Sequence, residues 1–245
     1  MDRKKYIIIG GTSGIGLAVA EALAAQEAEL ILVGRDHNKL QQVIAQLPGA
    51  QHKGIVCDME NLSDIPHIFA TIREDHTQLD GMVFCAGISP LCLIRDNSVQ
   101  LMEKVFRTNL FSFIELVREF QQDSISKDGA RIVAISSITA RGAGYRQTLY
   151  GASKAALISA VKLMAKELMN RNIRINCVSP GVTETPMLEE LRKNSADLDA
   201  KVRASQMLGI IPAEQIAAAV VNLLGTGSDF MTGSEVVLDG GAHLK

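Results

Sequence analysis

Tyr150 and Lys154 stand four residues apart in the stretch QTLYGASKAALI, residues 147–158. Residues at this spacing are neighbours on one face of a helix, so a phenol and an ammonium would lie side by side. An ammonium about 6 Å away contributes about 3 kcal/mol at an effective dielectric of about 20, which lowers the phenol pKa by about two units. Such a pair could donate a proton to a ketone or accept one from an alcohol. The alternative is a solvated edge of a surface helix.

Ser137 and Asn109 are two further polar residues in positions that suit chemistry. Ser137 comes thirteen residues before Tyr150, at the end of the apolar run ARIVAISS. If that run is a strand, Ser137 lies at the carboxyl edge of a sheet, where open α/β proteins bind ligands. Asn109 lies in the apolar helical stretch FRTNLFSF, where a buried amide is unfavourable unless it finds hydrogen-bond partners.

Short β-branched runs alternate with helical patterns along the 245 residues. Strands are predicted at KYIIIG, AELILVG, HKGIVC, DGMVFCAG, ARIVAISS, IRINCVSPG and EVVLDGG, and helices at about 14–25, 37–47, 63–76 and 98–121, around Tyr150, and at PAEQIAAAVVNLL. This alternation predicts an α/β fold with one doubly wound Rossmann domain, 1–245, whose seven-stranded parallel sheet carries helices on both faces. The more polar stretch 182–211 is predicted to form a substrate lid, as long segments inside compact domains often do.

A glycine-rich turn, IIIGGTSGIG, follows the first strand. Its glycines would allow a tight turn and close backbone approach to a pyrophosphate, and the next helix offers amide donors at its N-terminus. The candidate cofactor contacts here are Gly10, Thr12, Ser13, Gly14, Ile15 and Gly16. The spacing is G-x-x-x-G-x-G, and the alternative is a turn without a ligand. Its position directly after the first strand favours a dinucleotide site.

The end of the second strand, LVGRD, should meet the adenosine ribose. An acid there would bind a free 2′-hydroxyl, but this chain has Gly34 followed by Arg35. A guanidinium suits a 2′-phosphate, so we expect NADP(H), with NAD(H) possible. The alternative is an ordinary loop arginine whose charge Asp36 partly offsets.

Three residues after the third and fourth strands complete the predicted adenosine site. Asp58 could accept a hydrogen bond from the adenine amine, and Ala86 and Gly87 let the backbone approach the adenosine. Each has a simpler interpretation, Asp58 as a helix cap and Gly87 as a turn residue.

Composition excludes several classes of partner. Hydrophobic residues make up 47% and aromatics 4%, which is typical of parallel sheets covered on both faces. The net charge of −2 gives no footprint for nucleic acid or an anionic membrane, and no apolar run could span a bilayer. The basic N-terminus has no signal-peptide core and the four cysteines form no CxxC pair, so we expect a cytoplasmic protein with free thiols. The five histidines have no ligand spacing, so no metal site is expected.

The motifs GGTSGIG, CAG, Asn109, Ser137, YGASK and SPG occur in the order and near the spacings of the short-chain dehydrogenases/reductases. The chain resembles the single-domain type of this family over essentially its whole length, including 3-oxoacyl-acyl-carrier-protein reductase-like members. It departs from the family at Ile9, where Thr is frequent, and at Phe84–Cys85, where an Asn pair is frequent. Those polar groups usually tie the cofactor turn to neighbouring strands.

The resemblance implies roles for individual residues. Tyr150 would be the general acid/base, and Lys154 would bind the nicotinamide ribose and lower the phenol pKa. Ser137 would hydrogen-bond the substrate carbonyl, and Asn109 would hold a water that relays protons from Lys154. The nicotinamide end of the cofactor would meet Pro180, Gly181, Val182 and Thr183.

The expected activity is NADP(H)-dependent interconversion of a ketone and a secondary alcohol, and the resemblance implies a homotetramer or homodimer. The alternatives are a catalytically idle cofactor-sensing or scaffold protein of the same fold and a non-redox dehydratase or epimerase. The substrate is a small molecule, and its pocket is expected to be lined by ISPLCLIRD (88–96), TARGAGYRQ (139–147) and the lid 182–211. The first and last of these contribute Leu91, Leu93, Met187 and Leu188, which suggest a partly apolar substrate. Three arginines could face an anionic group on it: Arg95, Arg141 and Arg146.

Overall fold

The protein is represented by a computed structural model that describes residues 3–49, 51–74, 78–142, 144–193 and 197–244. Within these residues one sheet has the strand order β3-β2-β1-β4-β5-β6-β7. The strands are β1 (Lys5–Ile9), β2 (Glu29–Gly34), β3 (Lys53–Val56), β4 (Leu79–Phe84), β5 (Ser126–Ile135), β6 (Arg174–Pro180) and β7 (Glu235–Leu238). Each neighbouring pair is parallel, so the carboxyl ends of the strands meet at one edge. The predicted seven-stranded parallel sheet is confirmed.

Helices cover both faces of this sheet. The α-helices of the described residues are α1 (Gly14–Ala24), α2 (His37–Gln46), α3 (Ile65–Glu74), α4 (Val99–Phe106), α5 (Ser112–Phe120), α6 (Thr148–Glu167), α7 (Pro186–Arg192), α8 (Leu198–Ser205) and α9 (Ala213–Leu224). One hydrophobic core joins α3, α5 and α6 to the sheet, and a second joins α1, α2 and α9 to its other face. This is the doubly wound, Rossmann-like α/β architecture that the alternation predicts.

β1 shows why the strands are apolar at successive positions. Ile7 and Ile9 belong to the core with α3, α5 and α6, and Ile8 belongs to the core with α1, α2 and α9. All three side chains are fully buried. Successive residues of a strand point to opposite faces, and helices cover both faces of this sheet. A strand covered on both faces therefore needs a continuous apolar run.

Several boundaries differ from those predicted. β4 ends at Phe84 and β5 ends at Ile135, so CAG and Ser136–Ser137 follow their strands as loops instead of closing them. The helix predicted at 63–76 is a 3₁₀ turn followed by α3, which ends at Glu74; residues 75–77 lie outside the described residues.

The helix predicted at 98–121 contains a π-helical turn. α4 runs into this turn at Arg107–Phe111, and α5 continues from it to Phe120. Asn109 lies in the middle of the turn and is fully buried, with its amide bonded outside the helix. The predicted long helix is therefore confirmed as continuous from Val99 to Phe120, with a π-helical turn at the residue whose amide bonds outside the helix.

The stretch 182–211 contains α7 and α8, and residues 194–196 within it lie outside the described residues. Leu188 on α7 and Val202 on α8 are buried. A β-bridge between Thr183 and Ile211 joins the two ends of the stretch. That the stretch acts as a lid remains a prediction.

Candidate active site

A cleft of about 580 Å³ opens at the carboxyl edge of the sheet. β1 and β4 are neighbours there, but α1 after β1 and α5 after β4 lie on opposite faces, and such switch points are where α/β sheets bind ligands. The wall contains the candidate residues Gly10, Thr12, Ser13, Gly14, Ile15, Gly16, Arg35, Asp58, Ala86, Gly87, Ser137, Tyr150, Lys154, Pro180, Gly181, Val182 and Thr183. Of the catalytic and cofactor candidates, Asn109 is the one that lies outside the wall.

The glycine turn leads directly into α1. A Cβ added at Gly16 would overlap the carbonyl oxygen of Gly10, so α1 packs against the turn only because Gly16 has no side chain. Ser13 is extended and forms the N-cap of α1 without a side-chain capping hydrogen bond. Amide groups at a helix N-terminus lack intrahelical partners and suit an anion, so this end of the cleft fits a pyrophosphate.

Backbone hydrogen bonds attach the glycine turn to its neighbouring strands. At Ile9, Phe84 and Cys85 the family often has polar side chains that do this. Gly10 N–H donates to Val33 O at 2.8 Å, and Cys85 N–H donates to Ile9 O at 2.9 Å. The side chains of Ile9 and Phe84 are fully buried in the core. The departure from the family therefore replaces side-chain ties by packing and leaves the turn attached to β2 and β4.

Arg35 lies at the adenosine end of the cleft. It is exposed and follows Gly34, whose missing Cβ would lie 3.1 Å from Thr12 Cγ2. Asp36 Oδ1 accepts a hydrogen bond from Lys39 N at 3.1 Å and so caps α2. The neighbouring carboxylate is thus engaged at the helix, and Arg35 is the cation that the cleft wall offers at this end.

Asp58 and Gly87 also have structural roles. Asp58 Oδ1 accepts a hydrogen bond from Glu60 N at 3.1 Å and so stabilises a turn, while the residue also lines the cleft. It does not cap a helix, because the 3₁₀ turn that follows begins after Asn61. A Cβ added at Gly87 would lie 3.3 Å from Lys154 Nζ and 3.4 Å from Asn109 Oδ1. Gly87 therefore lets the loop after β4 approach both side chains.

Lys154 is 3% exposed, on the buried face of α6. Its Nζ donates a hydrogen bond of 2.7 Å to Ile135 O at the end of β5. Burial lowers the pKa of Lys154 to about 8, because the charged form loses solvation. Ser136 Oγ donates to Lys154 O at 3.1 Å, which fixes the same turn of helix to the sheet.

Tyr150 precedes Lys154 by one helical turn, and Lys154 Nζ lies 5.9 Å from the centroid of its ring. Burial raises the pKa of Tyr150 above its ordinary value of 10.0, and the hydrogen bond with Ser137 offsets only part of that rise. The expectation that Lys154 lowers this pKa is wrong for the described structure. Burial of the phenol dominates, and the ammonium is directed to Ile135 O.

Ser137 lies between the end of β5 and Tyr150. Its Oγ accepts a hydrogen bond from Thr139 N at 3.2 Å and donates one to Thr139 Oγ1 at 3.1 Å. It also lies close enough to the Tyr150 side chain to counteract part of the rise in the pKa of that phenol. The two predicted hydroxyl groups therefore meet in the cleft, with Thr139 as a third beside them.

Asn109 supports the cleft from behind. Its Oδ1 accepts from Ile88 N at 2.8 Å, and its Nδ2 donates to Ile88 O at 3.0 Å and to Ser153 Oγ at 2.9 Å. Ser153 Oγ in turn donates to Tyr150 O at 2.8 Å. The amide therefore ties the loop after β4 to the helix of Tyr150, and its role in a water relay remains a prediction.

The substrate half of the cleft differs from the expectation in its wall residues. Met187 and Leu188 line it as predicted, but Leu91 and Leu93 do not. The other residues of this half are Ile88, Ser89, Ile138, Thr139, Gln147, Thr185, Pro186 and Leu191. All but Ile138 lie in the three segments expected to line the pocket, 88–96, 139–147 and 182–211. Ile138 directly follows Ser137 and has no periodic or motif signal of its own.

None of the three arginines expected to face an anionic group lines the cleft. Arg141 forms two hydrogen bonds to the carboxylate of Glu235, at 2.9 and 2.7 Å. Arg146 Nη2 lies 3.3 Å from Leu91 O, and Arg95 Nε lies 3.7 Å from Asp96 Oδ1. The charged residues of the wall are Arg35, Asp58 and Lys154.

The described residues contain no group of three or more His, Cys, Asp or Glu side chains placed to hold a metal ion. In the part of the chain that the structure describes, none of the helices combines the length and the apolar character needed to cross a membrane.

Comparisons with known proteins agree over nearly the whole chain. A family model described as enoyl-(acyl carrier protein) reductase matches residues 10–243. Carbonyl reductase family member 4 of Xenopus laevis is 33% identical over 242 residues, 98% of each chain. The 3-oxoacyl-(acyl-carrier-protein) reductase FabG of Escherichia coli (strain K12) is 31% identical over 249 residues, 99% of this chain and 98% of that protein.

Among solved structures, 4-hydroxyisoleucine dehydrogenase complexed with NADH superposes with a TM-score of 0.91 at 29% identity, covering 99% of this chain and 100% of that chain. Sequence, fold and cleft thus all match oxidoreductases of one family. The chain belongs to the short-chain dehydrogenase/reductase family.

Proposed function

We propose that this protein interconverts a ketone and a secondary alcohol by hydride transfer with NADP(H), with Tyr150 as the general acid/base. Family membership gives the coarser assignment, a dehydrogenase or reductase of small molecules that uses NAD(P)(H). The observation that carries the finer one is the meeting of Ser137, Tyr150 and Lys154 in the same cleft as the glycine turn.

The residues of the wall fit a dinucleotide. The turn around Gly16 has no room for a Cβ, and backbone amides face the cleft at the start of α1. Lys154 is a buried cation whose hydrogen bond goes to a carbonyl, and an ammonium has three donors, so two remain for ribose hydroxyls. The bound cofactor supplies or accepts the hydride, and the protein provides the remaining chemistry.

Tyr150 handles the proton in this proposal. Its raised pKa keeps the phenol protonated at neutral pH, so it can donate to the oxygen of a ketone under reduction. Ser137 Oγ lies beside it and can donate a second hydrogen bond to the same oxygen by turning from Thr139. Ile135 O, Ser136 and Ser153 hold the helix that carries the phenol.

The preference for NADP(H) over NAD(H) rests on Arg35. The position before it is a glycine, and the carboxylate after it caps α2. A guanidinium beside the adenosine ribose favours a 2′-phosphate through bidentate hydrogen bonds. NAD(H) is the alternative, since the related 4-hydroxyisoleucine dehydrogenase was solved as a complex with NADH.

The substrate proposed is an uncharged, partly apolar carbonyl compound or alcohol. The substrate half is lined by Met187, Leu188 and Leu191 on one side and by Thr139 and Gln147 on the other. Among the described residues its charged side chain is Lys154, which the ribose would engage, so they offer no further cation to a carboxylate. The segment 182–211 would cover this half as a lid.

A panel of neutral ketones with NADPH and NADH, followed by the absorbance of the reduced nicotinamide, tests the proposal. We expect NADPH oxidation with apolar ketones and a loss of at least about 100-fold in kcat in Tyr150→Phe. Tyr145→Phe, at an 81% exposed tyrosine, is the matched control. Cofactor binding without turnover, unchanged by Tyr150→Phe, would favour the idle protein. Conversion without net cofactor oxidation would favour a dehydratase or epimerase.

A homotetramer or homodimer is also proposed. The α4–α5 helix carries large exposed apolar residues, namely Val99, Met102, Phe111 and Ile114. Such a row on one element is unfavourable in water and suits burial against a second copy. Light scattering on the purified protein should give the mass of two or four chains, and Phe111→Glu should lower it. A monomer in both cases would contradict the proposal.

A further inference from the structure

Gln206 is a polar residue outside the proposed catalytic set that is 1% exposed. It follows α8 at its C-terminus, where its N–H bonds to Val202 O. Its carboxamide pairs with the peptide groups of one residue: Val182 N donates to Oε1 at 2.8 Å, and Nε2 donates to Val182 O at 2.9 Å. A third bond runs from Nε2 to Gly209 O. The oxygen and the nitrogen of the carboxamide therefore both have hydrogen-bond partners in the backbone.

The surroundings of this side chain leave it one position. A Cβ added at Gly181 would overlap Gln206 Oε1, and one added at Gly240 would lie 2.8 Å from Gln206 Cγ. The carboxamide thus lies between two glycines, one following β6 and one following β7. Close packing on both sides makes its hydrogen bonds specific to this geometry.

The same stretch of backbone is held by a second contact. Ile211 N donates to Val182 O at 3.0 Å, and Glu184 N donates to Ile211 O at 2.8 Å. Val182 O therefore accepts from both Ile211 and Gln206, while Val182 N depends on Gln206. Removing the carboxamide would leave the half-buried Val182 N–H without that acceptor, which is costly for a backbone donor that loses its partner.

Val182 and Thr183 line the cleft, but Gln206 does not. We propose that Gln206 is a positioning residue for the nicotinamide end of the cofactor, acting by holding the peptide groups of Val182 in the cleft wall. This inference rests on the proposed function, in which Pro180, Gly181, Val182 and Thr183 meet the nicotinamide. Mutation of Gln206 should therefore weaken the binding of ligands that contain the nicotinamide and leave the binding of ligands without it nearly unchanged.

Two ligands that differ in the nicotinamide moiety separate this role from a general structural one. The Kd of NADP⁺ and of 2′-phospho-ADP-ribose, which lacks the nicotinamide, is measured by calorimetry for the wild type and for Gln206→Leu. If the wild type binds the unphosphorylated ligands better, NAD⁺ and ADP-ribose are used. We expect Gln206→Leu to raise the Kd of the dinucleotide about tenfold and to change the Kd of the ligand without nicotinamide by less than about twofold.

Gln206→Glu is the second variant, because it keeps the shape and the acceptor for Val182 N but places an oxygen against Val182 O. It should weaken the dinucleotide as Gln206→Leu does. Ser205→Ala is the control, since the Ser205 hydroxyl bonds only to Lys201 O and Val202 O of its own helix. The ratio of the two Kd values does not depend on the folded fraction, so a destabilised variant remains informative.

The outcomes separate the two proposals. Equal weakening of both ligands, or no change in either, would overturn the role of Gln206 while the wild type still binds the dinucleotide. Failure of the wild-type protein to bind either pair of ligands would overturn the proposed function, and this inference with it. A selective loss in both Gln206 variants, with Ser205→Ala unchanged, supports the inference.

Discussion

Lys154 Nζ lies 5.9 Å from the centroid of the Tyr150 ring and is hydrogen-bonded to Ile135 O at 2.7 Å. The strand end, rather than a carboxylate, thus holds the ammonium in place, and its charge remains uncompensated inside the protein. Such an arrangement lowers the stability of the fold and keeps a cation ready for a ligand. The predictions below follow from this site and its supports.

Lys154→Met should change how stability depends on pH. The pKa of Lys154 is lowered to about 8 in the folded protein, against 10.5 for an ordinary lysine, so the unfolded chain binds more protons between these values. The free energy of unfolding of the wild type should therefore rise by about 3 kcal/mol relative to Lys154→Met between pH 8 and pH 10.5. Below pH 8 the difference should be constant.

Denaturant unfolding at a series of pH values measures this difference. Lys166→Met, at an exposed position of the same helix, is the control and should show no such dependence. If the difference in the free energy of unfolding between wild type and Lys154→Met did not vary with pH, the pKa of Lys154 would not be lowered in the folded protein.

Tyr150 should titrate above pH 10 in the protein without cofactor. Burial raises its pKa, and the hydrogen bond with Ser137 counteracts this only in part. The chain has three tyrosines, so ultraviolet difference titration of the wild type against Tyr150→Phe isolates the phenol. Ser137→Ala should raise this pKa further. An ionisation below pH 10 that disappears in Tyr150→Phe would contradict the dominance of burial.

Arg35→Ala should separate the two cofactors. Loss of a guanidinium from a 2′-phosphate removes charge-assisted hydrogen bonds, so the KM for NADPH should rise about tenfold or more, while that for NADH should change by less than about twofold. Lys39→Ala, an exposed cation on α2, is the control. Equal changes in the KM for NADPH and for NADH in Arg35→Ala would show that the arginine does not bind the 2′-phosphate.

Glu235→Gln should weaken the tie between β7 and the loop after Ser137. The Glu235 side chain is 6% exposed; burial alone would raise its pKa, but hydrogen bonds from Arg141 and Ser179 bring it below 4.5. A lowered carboxylate pKa contributes stability above about pH 4.5 that is lost as the pH falls through the folded value. The variant should lose about 1–3 kcal/mol at pH 7.

This loss should shrink as the pH falls below 4.5, which unfolding at pH 7 and pH 4 can measure. Glu190→Gln serves for comparison, because Glu190 pairs with Lys193 on the surface with 71% of its side chain exposed. Surface pairs contribute about 0–1 kcal/mol, so its effect should be small at either pH. If Glu235→Gln lost the same free energy of unfolding at both pH values, the loss would come from altered packing and not from the missing charge.

The fold was predictable because its pattern is local. Continuous apolar runs such as that of Ile7, Ile8 and Ile9 indicate strands buried on both faces, and their alternation with helices determines the topology. The cleft was predictable for the same reason, since motifs at strand ends meet at one edge of a parallel sheet.

What the sequence could not reveal depends on distant partners. Arg141 meets Glu235 across 94 residues and Asn109 meets Ser153 across 44, and no local pattern records either pairing. Gln206 looks like a polar residue at a helix end until Gly181 and Gly240 are seen around it. The direction of the Tyr150 pKa was missed because burial is a property of the assembled fold.

The π-helical turn at Arg107–Phe111 also sets how α5 is rotated relative to α4. Each residue advances an α-helix by about 100°, so one extra residue in a turn shifts the phase of everything after it. Val105 before the turn and Phe113, Leu116 and Phe120 after it are all fully buried. An alignment that removes one residue there would therefore turn α5 by about 100° about its axis and change which of its side chains meet the sheet.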